Sequence, residues 1–306
     1  PRRLLVLGGG PIGCEMAQAF RRLGSEVTLV EQLPRLLMRE DVAVSAIIAA
    51  QFATEGIQVL TGCEARRFER SDGGGRLHCT DESRELHIDF DVALIATGRR
   101  ARTSGLGLEA LGIALNPNGT VTVNEYMQTS LPNIHACGDV AGPWQLTHAA
   151  AHQAWYCAMN ALWGRFWRFR VDTSVMPAAV FTDPEVARVG STETEARAAG
   201  LDIEVTTHLL DEHDRAIADG EAHGCIRLIT PRGSDRILGA TIVATHAGDT
   251  IAEFVLAMKW NIGLNKLLGT IHIYPTMAEA NKYAAGNWKR AHAPEGLLRW
   301  VEKFFS

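Results

Sequence analysis

Short apolar runs along the chain alternate with stretches in which apolar residues recur every three or four positions. Residues 4–7 form a continuous apolar run typical of a buried strand, and a glycine-rich turn leads from it into apolar positions with helical spacing. Gly24 ends that helix, and residues 26–31 have the composition of a second strand. We expect parallel strands joined by a right-handed crossover, because the connection between them is a single helix.

The same alternation continues through the first hundred residues. It predicts a second helix over residues 41–54 and a strand over 57–60, followed by a small antiparallel insert with turns near 72–75 and 81–83. Residues 91–97 are predicted to return as a buried strand. The first part of the chain is therefore predicted to be of the α/β class, with a parallel sheet.

Beyond residue 98 the pattern changes. Loops, a strand ending at Cys137 and an alanine-rich helix starting near Thr147 are predicted, and the basic and aromatic segment 165–170 marks a boundary. Strands at 178–181, 203–209, 225–229 and 237–243 follow, interleaved with helices, one of which opens with a capping box at Thr192 and Glu195. Residues 296–305 are predicted to form an amphipathic helix that packs on the protein surface, with a membrane contact as the alternative.

Composition excludes several classes of function. The chain has 306 residues, with 30 Lys and Arg against 35 Asp and Glu and a net charge of −5, which argues against a nucleic-acid partner. No apolar run approaches the roughly 18 residues of a membrane span, so we predict no transmembrane segment. The six cysteines form no CxxC or CxxxxC pair, so we predict inert core cysteines in a reducing cytoplasm and no metal site.

The glycines at the first turn carry the strongest chemical signal. Gly8, Gly10 and Gly13 form a GxGxxG motif that follows a strand and opens a helix, and Glu31 ends the second strand. This is the complete dinucleotide-binding pattern, in which the glycines permit a tight turn, close approach of the pyrophosphate and close helix packing. Pyrophosphate is then bound at the start of the helix, where amide groups lack partners.

Glu31 sets the predicted cofactor preference. Its carboxylate is placed to accept hydrogen bonds from the adenosine ribose and to repel a 2′-phosphate, which favours NAD over NADP. Arg35 and Arg39 lie near enough in sequence to weaken that preference.

Further motifs extend over the rest of the chain. They are Ala96-Thr97-Gly98, Gly138-Asp139 at the end of a predicted strand, the segment from Phe181 to Gly190, and Tyr274-Pro275 followed by Glu279. Together with the glycine motif, this ordered set closely resembles the class I pyridine nucleotide-disulfide oxidoreductases, flavoproteins such as dihydrolipoamide dehydrogenase and mercuric reductase.

The resemblance implies three domains and two cofactors. Residues 1–98 correspond to a Rossmann-type NAD(P)-binding domain, residues 99–170 to the C-terminal part of an FAD-binding domain, and residues 171–306 to an α+β dimerisation domain. The cofactors implied are FAD and NAD, with NADP less favoured. In the family, a further FAD-binding segment with the redox disulfide comes first, and since the chain starts at Pro1 we expect a natural start upstream.

Several residue roles follow from the resemblance alone. Asp139 is expected to bind the ribityl chain of FAD, Thr147 to help place the isoalloxazine ring, and Gly98 to belong to the cofactor-binding segment. Glu15 matches the acidic residue of the family that lies beside the nicotinamide and flavin. The alternative is that Glu15 is a solvent-facing helix residue, because the lysine that pairs with this acidic residue in the family belongs to the segment outside this chain.

The C-terminal motif departs from the family pattern. The residue before the proline is a histidine in the disulfide reductases, where it acts as acid and base across the dimer, and here it is Tyr274, with Glu279 retained. A phenol is a poor base at neutral pH, which puts lipoamide or glutathione chemistry in doubt. His272 is close in sequence, but we favour a structural role for it because side chains so near in extended backbone rarely point the same way.

We therefore predict a cytoplasmic, flavin-dependent NAD(P)H oxidoreductase of the mercuric reductase and lipoamide dehydrogenase type. It is expected to act with a small-molecule electron acceptor or donor and to form a homodimer through residues 171–306, with Tyr274 and Glu279 as a partner-facing pair. Two alternatives stay open: a non-catalytic NAD-binding dimerisation module, and a flavin or quinone reductase that needs no disulfide.

Overall fold

The structure, a computed structural model, describes residues 1–71, 73–81, 84–294, 301, 303 and 304. The chain forms two compact units. The first unit combines Pro1–Thr97 with Pro177–Ser306, and the second unit is Gly98–Met176. The amphipathic helix predicted over 296–305 lies largely outside the described residues.

A four-stranded parallel sheet forms one part of the first unit. Its strands have the order β3-β2-β1-β7, and all three pairings are parallel, as the sequence predicts. The strands and the two helices between them are β1 (Arg3–Leu7), α1 (Pro11–Arg22), β2 (Glu26–Val30), α2 (Val42–Glu55), β3 (Gln58–Leu60) and β7 (Val92–Ile95). The turn after β1 and the end of β2 lie at the carboxyl edge of this sheet, where α/β proteins bind ligands.

The strand β7 differs from its prediction. It was expected to be buried, but Val92 is 50% and Ile95 56% exposed. The reason is its position, since β7 is the last strand of the sheet and pairs only with β1 among the strands described. A continuous apolar run does not distinguish a central strand from an edge strand.

The predicted antiparallel insert is present as a separate three-stranded sheet. It consists of β4 (Glu64–Ser71), β5 (Gly74–Thr80) and β6 (Glu85–Phe90) in the order β4-β5-β6. Both of its turns include residues outside the described ranges. One face of the sheet packs around the buried Leu77 and Cys79, and the opposite face carries charged and histidine side chains.

A five-stranded antiparallel sheet and most of the short helices complete the first unit. The strand order is β10-β11-β12-β9-β8. The strands are β8 (Pro177–Val180), β9 (Glu185–Gly190), β10 (Ile203–Leu209), β11 (Cys225–Pro231) and β12 (Gly239–Ala244). The helices are α4 (Glu193–Ala198), α5 (Asp214–Asp219), α6 (Ala247–Thr250), α7 (Ala252–Lys259), α8 (Leu264–Leu268) and α9 (Glu279–Ala291). The capping box at Thr192 and Glu195 is confirmed, whereas β9 was not predicted as a strand.

A shared core explains why the first and last parts of the chain form one unit. Apolar residues of the parallel sheet and of α1 and α2 lie in the same buried cluster as Val180, Val186, Cys225 and Val243 of the antiparallel sheet. Burial of this common surface stabilises the two parts together.

The second unit has little regular structure apart from one long helix, α3 (Thr147–Trp163), whose predicted start is confirmed. The prediction of a strand that ends at Cys137 is wrong, because this segment forms only an isolated bridge between Gln128 and His135. A short 3-10 turn over Gly138–Val140 follows it.

Within the part of the chain that the structure describes, none of the helices has the length and apolar character needed to cross a membrane.

Candidate functional site

The glycine turn between β1 and α1 is shaped by close backbone contacts. Gly8 has φ of +109°, and a Cβ there would lie 2.5 Å from the carbonyl oxygen of Ala96, the residue directly after β7. A Cβ on Gly13 would overlap the carbonyl oxygen of Gly8. These two positions therefore require glycine for turn geometry and for helix packing.

Gly10 is different, because the space around it is open. It is the N-cap of α1 in extended conformation, nothing lies within 4 Å of an ideal Cβ there, and no side-chain cap bond was found at this helix start among the described residues. Pro11 has no amide hydrogen, and Cys14 is bonded to the Gly10 carbonyl at 2.9 Å. The amides of Ile12 and Gly13 precede the first intrahelical bond, so this helix start can accept an anion.

Glu31 lies beside this turn and also helps to build it. Its carboxylate is buried and accepts hydrogen bonds from the amide of Gly9 at 2.5 Å and from the amide of Leu33 at 2.8 Å. Each oxygen retains a second acceptor position. Glu31 therefore has a structural role at Gly9 that the GxGxxG spacing does not reveal.

Arg35 is occupied elsewhere. Its guanidinium donates to the carbonyls of Leu37 and Met38 and to the hydroxyl of Ser45, at distances of 2.6 to 3.2 Å. Because these bonds hold the loop after β2, a 2′-phosphate would have to displace them. Arg39 is exposed.

The helix α1 is attached to the segment that follows β8. The carboxylate of Glu15 accepts a hydrogen bond from the amide of Phe181 at 2.9 Å. Gln18, one turn further along, exchanges bonds with the backbone amide and carbonyl of Asp183, each at 2.7 Å. Glu15 is thus held in place by the backbone of the antiparallel part, and sequence spacing alone gave no sign of this partner 166 residues away.

In the second unit, the Gly138-Asp139 motif is held by α3. Gly138 has φ of +72°, and its amide donates to the buried side chain of Gln153 at 2.7 Å. The carboxylate of Asp139 is about half exposed and accepts one long hydrogen bond from Arg99 at 3.4 Å. The carboxylate therefore keeps free acceptor positions. Gln153 and Arg99 were not predicted as site residues.

Two other predicted site residues also belong to the second unit. Thr147 is exposed at the first position of α3, and Gly98 has φ of +132°. This backbone conformation favours glycine at position 98.

Tyr274 has a partner that the sequence did not suggest. Its phenol donates a hydrogen bond to the carboxylate of Asp214 at 2.8 Å, and the side chain is largely exposed. This hydrogen bond and the negative charge of Asp214 raise the pKa of Tyr274 above its usual value. The phenol is therefore a hydrogen-bond donor at neutral pH and a poor general base.

Glu279 is buried at the start of α9 and borders a cavity of about 540 Å³. The cavity is also lined by His208, His213, Asp214 and Tyr283. The charge of Glu279 raises the pKa of Tyr283, with a smaller contribution from burial. Burial, followed by the neighbouring His213, lowers the pKa of His208. Asp214 and Glu279 thus line the same cavity, and Tyr274 is hydrogen-bonded to Asp214 in its wall.

His272 is fixed by both ring nitrogens. Nε2 lies 2.8 Å from the carboxylate of Glu253 and Nδ1 lies 3.1 Å from the carbonyl of Thr270. These contacts agree with the structural role expected for it.

The cysteines are all free. Cys14, Cys63, Cys79 and Cys225 are buried. Burial raises the pKa of Cys14 to about 12 and that of Cys79 to about 12, so these thiols are protonated and unreactive at neutral pH.

The parallel sheet and the glycine turn together define an α/β protein of the nucleotide-binding class, with an uncapped helix start at Gly10. Residues 1–154 match the family described as pyridine nucleotide-disulphide oxidoreductase, and residues 176–285 match the dimerisation domain of the same family. The chain belongs to this family, whose dihydrolipoyl dehydrogenase and mercuric reductase members use FAD and NAD(P). The predicted resemblance and fold class are confirmed.

Individual relatives cover almost all of the chain. A dihydrolipoyl dehydrogenase of Thermus scotoductus is 38% identical over 288 residues, which cover 93% of this chain and 61% of the relative. A mercuric reductase of Streptomyces lividans is 39% identical over 285 residues, which cover 93% of this chain and 60% of the relative. The chain thus spans about three fifths of the length of these relatives.

A solved structure gives the same result for the fold. The HOCl-induced flavoprotein disulfide reductase RclA from Escherichia coli matches with a TM-score of 0.85 at 30% identity. The match covers 94% of this chain and 65% of that protein.

Proposed function

We propose that the whole protein is a flavoprotein NAD(P)H-dependent oxidoreductase that transfers hydride between a nicotinamide cofactor and FAD and exchanges electrons with a small molecule. Family membership supports the class of reaction. The observation that carries the proposal for this chain is the open helix start at Gly10, beside the buried carboxylate of Glu31.

The first unit fits a dinucleotide. In our proposal the amides of Ile12 and Gly13 bind the pyrophosphate, and the open space at Gly10 admits it. Glu31 uses its remaining acceptor positions for the ribose hydroxyls, and its charge disfavours a 2′-phosphate. The engagement of Arg35 with the loop after β2 supports NAD over NADP.

The second unit contributes groups that fit a flavin. The half-exposed carboxylate of Asp139 suits the ribityl hydroxyls, and Thr147 and Gly98 are proposed as further contacts. When bound, FAD accepts hydride from the nicotinamide and passes electrons on. Glu15, fixed by the Phe181 amide, is proposed as the carboxylate beside the reacting rings.

We also retain a homodimer through residues 171–306, supported by the match to the dimerisation domain. Residues 1–98, 99–170 and 171–306 are proposed as the NAD(P), FAD and dimerisation domains. Tyr274, protonated and bonded to Asp214, and Glu279 are proposed to act at the dimer as hydrogen-bonding groups toward the substrate. A cytoplasmic location remains a prediction.

Cofactor preference tests the assignment of Glu31. Replacement of Glu31 by Gln keeps one acceptor oxygen for the turn and removes the charge, so the preference for NADH over NADPH should fall about 10-fold, which corresponds to roughly 1.4 kcal/mol. Dissociation constants for the two cofactors, from fluorescence titration, measure this. The matched control is Glu26→Gln at the start of the same strand, where the side chain is exposed near Arg2. Unchanged selectivity in Glu31→Gln would remove this residue from its assigned role.

Flavin reduction in the flavin-loaded protein separates the proposal from the non-catalytic alternative. Anaerobic addition of NADH should bleach the flavin absorbance. Binding of NADH without bleaching would favour the non-catalytic NAD-binding module instead.

A further inference from the structure

The outer face of the small antiparallel sheet brings two histidines and two glutamates together. His78 on β5 is directly opposite His87 on β6, and Thr80 is opposite Glu85 in the same ladder. Side chains two residues apart on a strand share a face, so Glu85 and His87 lie beside His78. Glu69 on β4 reaches the same place from the other side.

The donor atoms of three of these side chains are already close to one another. The rings of His78 and His87 have centroids 4.6 Å apart, and Nδ1 of His78 lies 3.6 Å from a carboxylate oxygen of Glu85. One ligand atom from each of His78, Glu85 and His87 can be chosen such that all three lie within 4.8 Å of one another. Around a tetrahedral ion with bonds of about 2.1 Å, ligand atoms are roughly 3.4 Å apart. The exposed side chains of Glu85 and His87 have to move inward only slightly to reach that spacing.

Glu69 orients the central histidine. Nε2 of His78 lies 2.7 Å from the carboxylate of Glu69, and this distance requires the hydrogen to be on Nε2. Arg67 also donates to the same oxygen of Glu69, at 3.2 Å. The lone pair of the neutral ring is therefore on Nδ1, which faces Glu85. A histidine that ligates a metal commonly donates its other N–H to a carboxylate in this way.

Among the described residues, the neighbouring cations contact other atoms than the proposed ligand atoms. Arg76 is paired with Asp89 at 2.7 Å. Nη2 of Arg67 lies 3.2 Å from Glu69 and 3.2 Å from Nε2 of His78, the ring nitrogen that is not proposed as a ligand. Within the described part of the chain, Nδ1 of His78 and the ring of His87 are therefore open to an ion that approaches from solvent.

From this geometry we propose that His78, Glu85 and His87 bind a first-row divalent cation of the zinc or copper type. Two imidazoles and one carboxylate suit such ions, which prefer nitrogen ligands, better than they suit Mg²⁺ or Ca²⁺. Three protein ligands leave further positions to water. Glu69 is a positioning residue that acts through His78. The proposal is independent of hydride transfer at the glycine turn.

No pattern in the sequence indicates this site. The two histidines are nine residues apart, and only the pairing register of β5 and β6 makes them neighbours. The expectation of no metal site rested on cysteine spacing, which does not address cross-strand pairs of histidines.

Titration of the purified chain with Zn²⁺ by isothermal calorimetry tests the proposal. We expect one ion per chain and a dissociation constant raised at least about 10-fold in His87→Ala and in Glu85→Gln. Glu69→Gln should weaken binding by about 10- to 100-fold as a loss of orientation. His223→Ala, an exposed histidine near Glu221, is the matched control and should bind as the unmodified chain does.

Cysteine is the competing class of ligand. Cys137 and Cys157 are only partly buried, so a Cys137→Ser, Cys157→Ser variant is titrated in parallel. Zn²⁺ binding that is lost in the cysteine variant but kept in His87→Ala would overturn the proposal. Equal binding by the unmodified chain and a His78→Ala, His87→Ala variant, or no binding by the unmodified chain, would also overturn it and leave the cluster as a hydrated set of ion pairs. Thermal unfolding of each variant verifies that it is folded.

Discussion

Replacement of Gly10 by Ser separates the stability of the glycine turn from its capacity to bind a phosphate. Gly10 is the N-cap of α1, its backbone is extended, and a Cβ there meets open space. Serine is among the preferred N-cap residues, because its hydroxyl accepts a hydrogen bond from an amide in the first turn. That amide belongs to Ile12 or Gly13, the groups proposed to bind the pyrophosphate. The substitution should therefore cap the helix and block the ligand at once.

The substitution is expected to preserve or raise stability and to lower the affinity for NADH. Serine stabilises an N-cap by only a few tenths of a kcal/mol relative to glycine, so the free energy of unfolding should stay equal or rise by about 0.3 kcal/mol. A hydrogen bond to a charged group contributes about 1.5–3 kcal/mol. The loss of one such bond to the pyrophosphate should raise the dissociation constant of NADH by about 10- to 100-fold. The hydroxymethyl group adds steric exclusion in the same direction.

The assay pairs urea unfolding with NADH titration for the unmodified chain, Gly10→Ser and Gly10→Ala. Alanine adds bulk without an acceptor, so Gly10→Ala should be less stable than Gly10→Ser yet should bind NADH more tightly. Binding of NADH by Gly10→Ser with unmodified affinity would refute the assignment of these amides to the phosphate. A large loss of stability in Gly10→Ser would refute the description of Gly10 as open.

Three further substitutions test contacts around the site. Gly13→Ala should lower the free energy of unfolding by about 1–3 kcal/mol, because its Cβ would overlap the Gly8 carbonyl oxygen, and unchanged stability in urea would contradict that packing. Asp214→Asn should lower the pKa of Tyr274 toward its ordinary value; tyrosinate absorbance across a pH titration checks this, and an unchanged curve would exclude Asp214 as the cause. Burial acts to raise the pKa of Glu55, but hydrogen bonds from Arg22 and two glutamines outweigh it and hold the pKa below its usual value. The stabilisation by the charged carboxylate is therefore present above the unfolded pKa of about 4.3 and is lost as the pH falls. Between pH 7 and pH 4, the free energy of unfolding should fall further in the unmodified chain than in Glu55→Gln. Equal losses in the two proteins would contradict this role of Glu55.

Local sequence was sufficient for the features that depend on neighbouring residues. The strand, turn and helix around Gly8 and Gly13 and the capping box at Thr192 rest on residues within a few positions of one another. The parallel pairing of β1 with β2 follows from the single helix that joins them. Each is set by backbone conformation or by alternation of apolar and polar residues, which a single sequence displays directly. The prediction that β7 is buried was wrong, because the edge position of a strand depends on the topology of the whole sheet.

The contacts at the candidate site join residues that are far apart in the sequence. Tyr274 meets Asp214 across 60 residues, and Glu15 meets the Phe181 amide across 166. Glu31 was placed correctly beside the glycine turn, yet its bond to the Gly9 amide gives it a second role that any mutation of it will also disturb. A buried amide that loses its acceptor costs about 1–3 kcal/mol. The cofactor preference of a Glu31 variant is therefore measured as the ratio of the dissociation constants of NADH and NADPH on that same variant. Disturbance of the turn weakens the binding of both cofactors alike, whereas loss of the negative charge changes the ratio.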